Sequence, residues 1–222
     1  HHFFTATQSF PEKIYRWVTP VFLTDRQEAK QILKRIGIST NEIKYIIISH
    51  FHADHIAGLR DFENAQFICS NEALDEVLHT NGFRAVKKGI IKKLLPDNFT
   101  NRVLTIEKIA DKVHKDSFGL EYFYLFNQTL LYFVKLPGHA RGQLGFIYKK
   151  NEILYFYATD AAWDKDAFLA NILPSKLVKL FIDSYEDLAK TQAKLLAYQK
   201  ENPEVITLFT HCAKSLKYVE NV

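Results

Sequence analysis

The chain has 222 residues, of which 47% are hydrophobic and 24% charged. That is enough apolar mass to bury a core without covalent staples, and it excludes a disordered or collagen-like chain. The formal charge of +4 and pI of about 8.9 describe a mildly basic protein. Its evident basic cluster, Arg84, Lys87, Lys88, Lys92 and Lys93, is short and lacks the interleaved aromatics that stack bases. It reads as the solvated face of a helix or lid, and no nucleic-acid partner is expected.

The two cysteines, Cys69 and Cys212, are far apart and form no CxxC. They read as free thiols in a reducing, cytoplasmic setting. No apolar run reaches membrane-spanning length. The chain opens on His1-His2 and contains no methionine, so the native N-terminus is expected to lie upstream. Residues 1–222 are read as a single domain.

Residues 1–23 are aromatic-rich and, with Pro11 and Pro20, read as irregular. Thr24-Asp25-Arg26-Gln27 has the form of a capping box, followed by Ala29, Ile32, Leu33 and Ile36 at helical spacing and Gly37 as the stop. Residues 44–49 carry Tyr45-Ile46-Ile47-Ile48, the pattern of a strand buried on both faces. A second short strand is expected at 66–69, then a helix capped by Ser70 with Ala73, Leu74, Val77 and Leu78 on one face. Residues 80–101 read as a lid. Strands follow at 102–106, 121–126, 130–136, 144–148 and 152–158, with a hairpin around Asn127-Gln128. Residues 175–200 read as helical, and a last strand at 205–209 runs into Thr210-His211. The fold class is therefore mixed, α/β early and late with antiparallel β between.

The chemistry is concentrated in Ser49-His50-Phe51-His52-Ala53-Asp54-His55. Three histidines and an aspartate sit where an apolar strand stops, which is where rigid scaffolds present functional groups. Imidazole nitrogen and carboxylate oxygen are the ligands that zinc and its neighbours prefer. His50 and His52, two apart in extended backbone, face the same side and can grip one ion. Asp54 and His55 follow as the chain turns into a helix, point elsewhere, and can hold a second. His139, Asp160 and His211 each come directly after an apolar strand, which completes seven ligands at strand ends.

This ordered set resembles the metallo-β-lactamase superfamily: His50-x-His52-x-Asp54-His55, then His139, Asp160 and His211. The resemblance covers most of the chain. It implies a four-layer αββα sandwich, with His50, His52 and His139 on one metal, Asp54, His55 and His211 on the other, and Asp160 bridging both. The family's N-terminal strands, ending in an Asp-Thr-Gly step, have no counterpart here. The implied cofactors are two divalent ions, zinc first, with manganese or iron as alternatives. The implied chemistry is hydrolysis by a hydroxide shared between them, with Asp54 serving as proton shuttle as well as ligand. Ser49, Thr159 and Thr210 are candidates to orient the imidazoles, and Cys212 reads as a buried thiol.

Fold does not choose the substrate. The stretches 48–59 and Pro137-Gly138-His139-Ala140-Arg141-Gly142-Gln143 are similar to N-acyl homoserine lactonases. Those enzymes carry a tyrosine three residues after the bridging aspartate, where this chain has Trp163. The expectation is an ester or lactone hydrolase acting on a small, partly apolar substrate, with Trp163 lining its pocket and a homodimer as the assembly. The alternatives are a glyoxalase II-like thioesterase and a di-iron electron-transfer or oxygen-reducing protein.

Overall fold

The computed structural model describes residues 2–110, 113–124 and 131–216. The chain divides into two compact units, His1–Thr105 and Ile106–Val222, each with its own core.

In the first unit, residues 2–23 are only partly irregular, at 7–11 and 19–23. The rest forms helices α1 (His2–Ala6) and α2 (Glu12–Val18). Pro11 sits at the N-cap of α2, where its missing N–H costs nothing, and Pro20 falls just beyond the helix. Some of the aromatic residues are packed, Phe3 meeting Tyr15 edge-on at 6.2 Å between centroids, whereas Phe10, Trp17 and Phe22 are exposed. The Thr24 box forms, with the Thr24 N–H donating to Gln27 Oε1 at 2.9 Å. It caps a 3₁₀ turn, Asp25–Gln27, and helix α3 (Ala29–Arg35) starts afresh after it.

The first sheet is parallel, in the order β1 (Tyr45–Ile47), β2 (Gln66–Cys69), β3 (Val103–Thr105). β1 pairs only with β2 among the described residues, and Tyr45 is 51% exposed. Burial is complete only from Ile48 onward, so the expected two-faced burial of this strand holds at its C-terminal end alone. After β1 comes the short helix α4 (Ala53–Ile56). Helix α5 (Asn71–His79) is capped as expected, Ser70 Oγ accepting from Ala73 N at 3.1 Å.

The expected lid is core. Residues 80–101 form α6 (Gly82–Lys87) and two 3₁₀ turns, and Ala85, Val86, Ile90, Ile91, Leu94, Leu95 and Phe99 are buried with Ile56 and Phe67. Nor is the basic cluster simply solvated. Lys88 pairs with Glu76, Lys92 donates to Leu78 O and Asn81 Oδ1 at 2.7 Å, and Lys93 reaches Glu12 at 3.0 Å.

Arg102 clamps this unit. Its Nε donates to Ala65 O at 2.8 Å, its Nη2 reaches Phe62 O and Ala65 O, and the guanidinium lies 4.7 Å from the Phe67 ring centroid.

In the second unit, α7 (Ile106–Ile109) leads into a six-stranded sheet. Its order is β4 (Val113–Lys115), β5 (Glu121–Tyr124), β6 (Leu131–Lys135), β7 (Leu144–Lys150), β8 (Ile153–Tyr157), β9 (Ile206–Leu208). All neighbours are antiparallel except β8 and β9, which are parallel. The expected hairpin at Asn127-Gln128 lies outside the described residues. Helix α8 (Lys165–Leu169) is capped by Asp164, and α9 (Tyr185–Glu201) by Ser184. α9 buries Leu188, Thr191, Gln192, Leu195 and Leu196, an i, i+3, i+4, i+7, i+8 stripe. Leu195 and Leu196 pack with Val134, Ile147 and Phe156 of the sheet. A four-residue helix, α10 (Ala213–Leu216), follows β9.

Helix was expected from 175, but α9 begins at 185, behind a 3₁₀ turn at Lys176–Leu180. The N–H groups of Asp183 and Ser184 are taken by His139 O and Gly138 O, at 3.0 and 2.8 Å. Donors spent on a distant loop cannot continue a helix. Both sheets and their helices give the mixed α/β class expected. Among the described residues, no helix is long and apolar enough to cross a membrane.

Replacing Arg102 with lysine keeps the charge but loses the planar fork that serves two carbonyls and a ring face. Arg102→Lys is expected to lower unfolding stability by about 1–3 kcal/mol, read as a lower urea midpoint at unchanged slope. An unchanged midpoint would remove the clamp from this account.

Candidate metal centre

The seven ligand candidates fall into two sets, four residues in the first unit and three in the second. Each set is built by local chain geometry.

In the first unit the chain leaves β1, and Ser49 and His50 are buried at once. The Ser49 hydroxyl lies 3.1 Å from His50 Nδ1, which directs the Nε2 edge toward the other histidines. The His50 and His52 rings stand edge-to-face at 4.6 Å, as two residues in extended backbone should. His55 was expected to point elsewhere. Instead its ring centroid is 4.0 Å from that of His50, because His52 is the N-cap of α4 and its single turn swings His55 back. His50 therefore has a ring nitrogen within 4.8 Å of one on His52 and of one on His55. Asp54 is the exposed member, its Oδ2 3.5 Å from His55 Nε2. Tyr15 carries a phenol pushed up to about 12, by burial first and then by the Asp54 charge, so it stays a neutral hydroxyl.

Gly89 fixes the His52 ring. Its carbonyl accepts from Ala53 N at 2.9 Å. Its φ is +70°, and a Cβ there would stand 3.0 Å from His52 Cδ2. Only glycine gives both the backbone turn and the clearance.

In the second unit, β6 and β8 both run antiparallel to β7, so their C-terminal ends share one edge. β9 is parallel to β8, with Tyr157 opposite Leu208. Asp160 and His211 each lie three residues beyond that pair, and His139 follows β6. The sheet thus delivers all three to one place. Asp160 Oδ2 is 3.3 Å from His139 Nε2 and 3.2 Å from His211 Nε2. One carboxylate oxygen, on a residue 2% exposed, sits between two imidazoles.

The loops behind these residues are tied down. Three successive carbonyls, of Pro137, Gly138 and His139, accept from Thr191 Oγ1, Ser184 N and Asp183 N at 2.6, 2.8 and 3.0 Å. At Gly138 a Cβ would fall 2.1 Å from Leu188 N, and φ is +129°. Thr159, next to Asp160, is a β-branched residue at φ +49°, a conformation that costs of order 1–3 kcal/mol. It is held there by Gln143 Nε2 donating to its Oγ1, by its own bond to Leu144 O, and by Thr210 N donating to Thr159 O, each at 3.1 Å. Thr210 also meets the Tyr157 hydroxyl at 2.9 Å. Burial pushes the Tyr157 phenol up, Thr210 opposes this, and the Asp160 charge raises it further.

Of the three residues expected to orient the imidazoles, Ser49 reaches one, at His50 Nδ1, whereas the Thr159 hydroxyl bonds Gln143 and Leu144 O and the Thr210 hydroxyl meets Tyr157; Cys212 is buried. Sequence reasoning gave no role to Gly89, Gln143 or Tyr157. Their signal is spatial and exists only once the chain is folded. Trp163 packs edge-on against the His139 ring at 5.6 Å.

The donor chemistry of both sets, imidazole nitrogen with carboxylate oxygen, fits divalent first-row metals. A carboxylate so deeply buried needs positive charge nearby, and two imidazoles at contact distance supply donors or share a cation with it.

Comparison with known proteins identifies relatives and a family. The chain is 25% identical over 193 residues to the N-acyl homoserine lactonase AttM of Agrobacterium fabrum (strain C58), covering 85% of this chain and 65% of AttM. It therefore spans less than two-thirds of that relative's length. Two solved structures share its fold. One is an N-acyl homoserine lactone hydrolase with the product N-hexanoyl-L-homoserine at its catalytic metal centre, with a TM-score of 0.59, 20% identity, and coverage of 88% of this chain and 66% of that one. The other is AidC, a dizinc quorum-quenching lactonase, with a TM-score of 0.55, 16% identity, and coverage of 83% and 62%. The profile of the Metallo-beta-lactamase superfamily matches residues 20–206, and the chain belongs to that superfamily.

Proposed function

We propose that this chain is a dinuclear metal-dependent hydrolase that opens ester or lactone bonds of a small, partly apolar substrate. The observation that carries the reading is Asp160 Oδ2, placed 3.3 and 3.2 Å from nitrogens of two different histidines. That is the arrangement a bridging carboxylate requires. In this reading His50, His52 and His139 would hold one ion, Asp54, His55 and His211 the other, with Asp160 available to both. Zinc is the first choice, with manganese or iron as alternatives. When bound, the ions supply a water deprotonated near neutral pH and an electrophile for the substrate oxygen.

The chain's own residues do the rest. Ser49 and the Gly89 backbone hold His50 and His52 in orientation. Thr159, Gln143 and Thr210 hold the Asp160 turn against its strain. Asp54, with an exposed side chain, would take up the proton lost when the water ionises and deliver it to the leaving alkoxide as the acyl-oxygen bond breaks. The likeness to AttM, an N-acyl homoserine lactonase, supports an acyl-oxygen bond as the target. Trp163 stands where the resembling lactonases carry a tyrosine. Indole donates one hydrogen bond but is bulkier than phenol and far less acidic, so the preferred substrate is expected to differ from the homoserine lactones.

His52→Ala and Asp160→Ala are each expected to lose metal, by elemental analysis, in step with activity. Full metal content in either variant would break the assignment. Across a panel of lactones, aryl esters, thioesters and phosphodiesters with zinc, manganese or iron, esters or lactones are expected to turn over at least tenfold faster than the other classes. Thioesters ahead would transfer the reading to a thioesterase, and oxygen reduction by a di-iron form would end the hydrolase reading.

A further inference from the structure

In the second unit the stretch from Ala167 to Ile182 carries two charged residues, Lys176 and Lys179, and no carboxylate. Acids resume at Asp166 on one side and Asp183 on the other. So apolar a stretch would be expected in the core, yet much of it stands in water. Leu169, Ile172 and Leu180 are exposed, as are Phe181 at 62% and Leu177 at 74%. Large apolar side chains scattered singly over a surface need no explanation, but a run of them in one segment marks a contact surface.

The backbone holds these side chains outward. Phe168 is buried at the start of the stretch. Ile172 N donates to Ala167 O and the Tyr185 hydroxyl to Pro174 O, both at 2.8 Å. Phe181 N and Ile182 N both donate to Val178 O, at 2.9 and 3.1 Å. Between these ties runs the 3₁₀ turn Lys176–Leu180. With three residues per turn, Leu177 and Leu180 share one row and Lys176 and Lys179 the row beside it. Both lysines are exposed. Among the described residues neither pairs with a carboxylate, and Lys179 Nζ lies 5.2 Å from the Tyr185 ring centroid.

We propose that this surface docks on an anionic lipid bilayer, with Leu177, Leu180 and Phe181 entering the boundary between headgroups and acyl chains and Lys176 and Lys179 meeting the lipid phosphates. Interfacial binding draws on buried apolar area and on attraction between basic residues and anionic lipid, and the two rows supply one each. A lysine near such a surface strengthens binding about fivefold. The charge pattern selects this occupant over a second copy of the chain. A two-fold contact through the same patch would set lysines against lysines, with no carboxylate in the segment to answer them. Docking of this kind is independent of the hydrolase reading.

The test mixes the intact chain with vesicles of phosphatidylcholine, alone or with about 30% phosphatidylglycerol, and reads the bound fraction by co-sedimentation. Partitioning onto the anionic vesicles is expected to exceed that onto the neutral ones by about tenfold or more, and to weaken as salt is raised. Lys176→Gln combined with Lys179→Gln is expected to lower it about tenfold or more, and Leu177→Ser combined with Phe181→Ser by a similar factor. Thermal melts are expected to be unchanged, because all four side chains are exposed. Phe22→Ser, on an exposed aromatic residue of the first unit, is the control and is expected to leave partitioning as it was. No preference for anionic vesicles, or partitioning unmoved in both paired variants, overturns the proposal. An equal loss in Phe22→Ser overturns its assignment to this surface. A chain that ignores vesicles, elutes as a dimer and becomes a monomer on losing Leu177 and Phe181 overturns it in favour of a second copy.

Discussion

A carboxylate buried to 2% exposure is the constraint around which the second unit is arranged. Removing such a charge from water costs several kcal/mol unless partners compensate. Here the partners are two imidazoles within 3.3 Å of one oxygen. Much of the unit serves to hold the three groups still. Asp183 and Ser184, just ahead of α9, spend their N–H groups on the His139 loop, and α9 adds the Thr191 hydroxyl. Gln143 and Thr210 keep Thr159 at a backbone angle that a β-branched residue avoids. Strain stored beside a buried charge is the signature of a site where geometry matters more than stability.

The first unit solves a simpler problem. Its candidate ligands come from six consecutive residues, 50–55, so sequence alone nearly places them. The fold adds the finish: burial of His50, the Ser49 contact, the Gly89 buttress against His52, and the turn of α4 that brings His55 beside His50. This last point was not legible. Separation of residues along a strand predicts sidedness, but a single helical turn immediately after it changes direction by an amount the residue types do not encode.

The same distinction explains what else could be read beforehand. Strands with strong β-branched or aromatic runs, such as 66–69 and 144–150, were found within two residues of their bounds, because local pattern and tertiary fate agree there. His139, Asp160 and His211 stand out in the sequence because each follows such a run, and the structure brings their side chains together. The helical stretches 2–6 and 12–18 and the segment 80–101 misled because prolines, glycines and lysines mimic loops. In the folded chain Pro11 caps a helix, Gly89 supports a histidine, and the lysines of 88–93 answer carboxylates and carbonyls of the same unit. The late start of α9 is of the same kind: the donors of Asp183 and Ser184 are claimed by a loop more than forty residues earlier.

The chain belongs to the superfamily, and each set has the chemistry of metal ligands; a single dinuclear centre and its action on an acyl-oxygen bond are the proposal built on these. Anomalous diffraction at the zinc edge, from crystals of the zinc-loaded protein, tests this most directly. The account predicts two peaks per chain roughly 3.5–4 Å apart, with imidazole nitrogens at about 2.0–2.1 Å and Asp160 touching both. A single peak, or a second peak remote from Asp160, would contradict it.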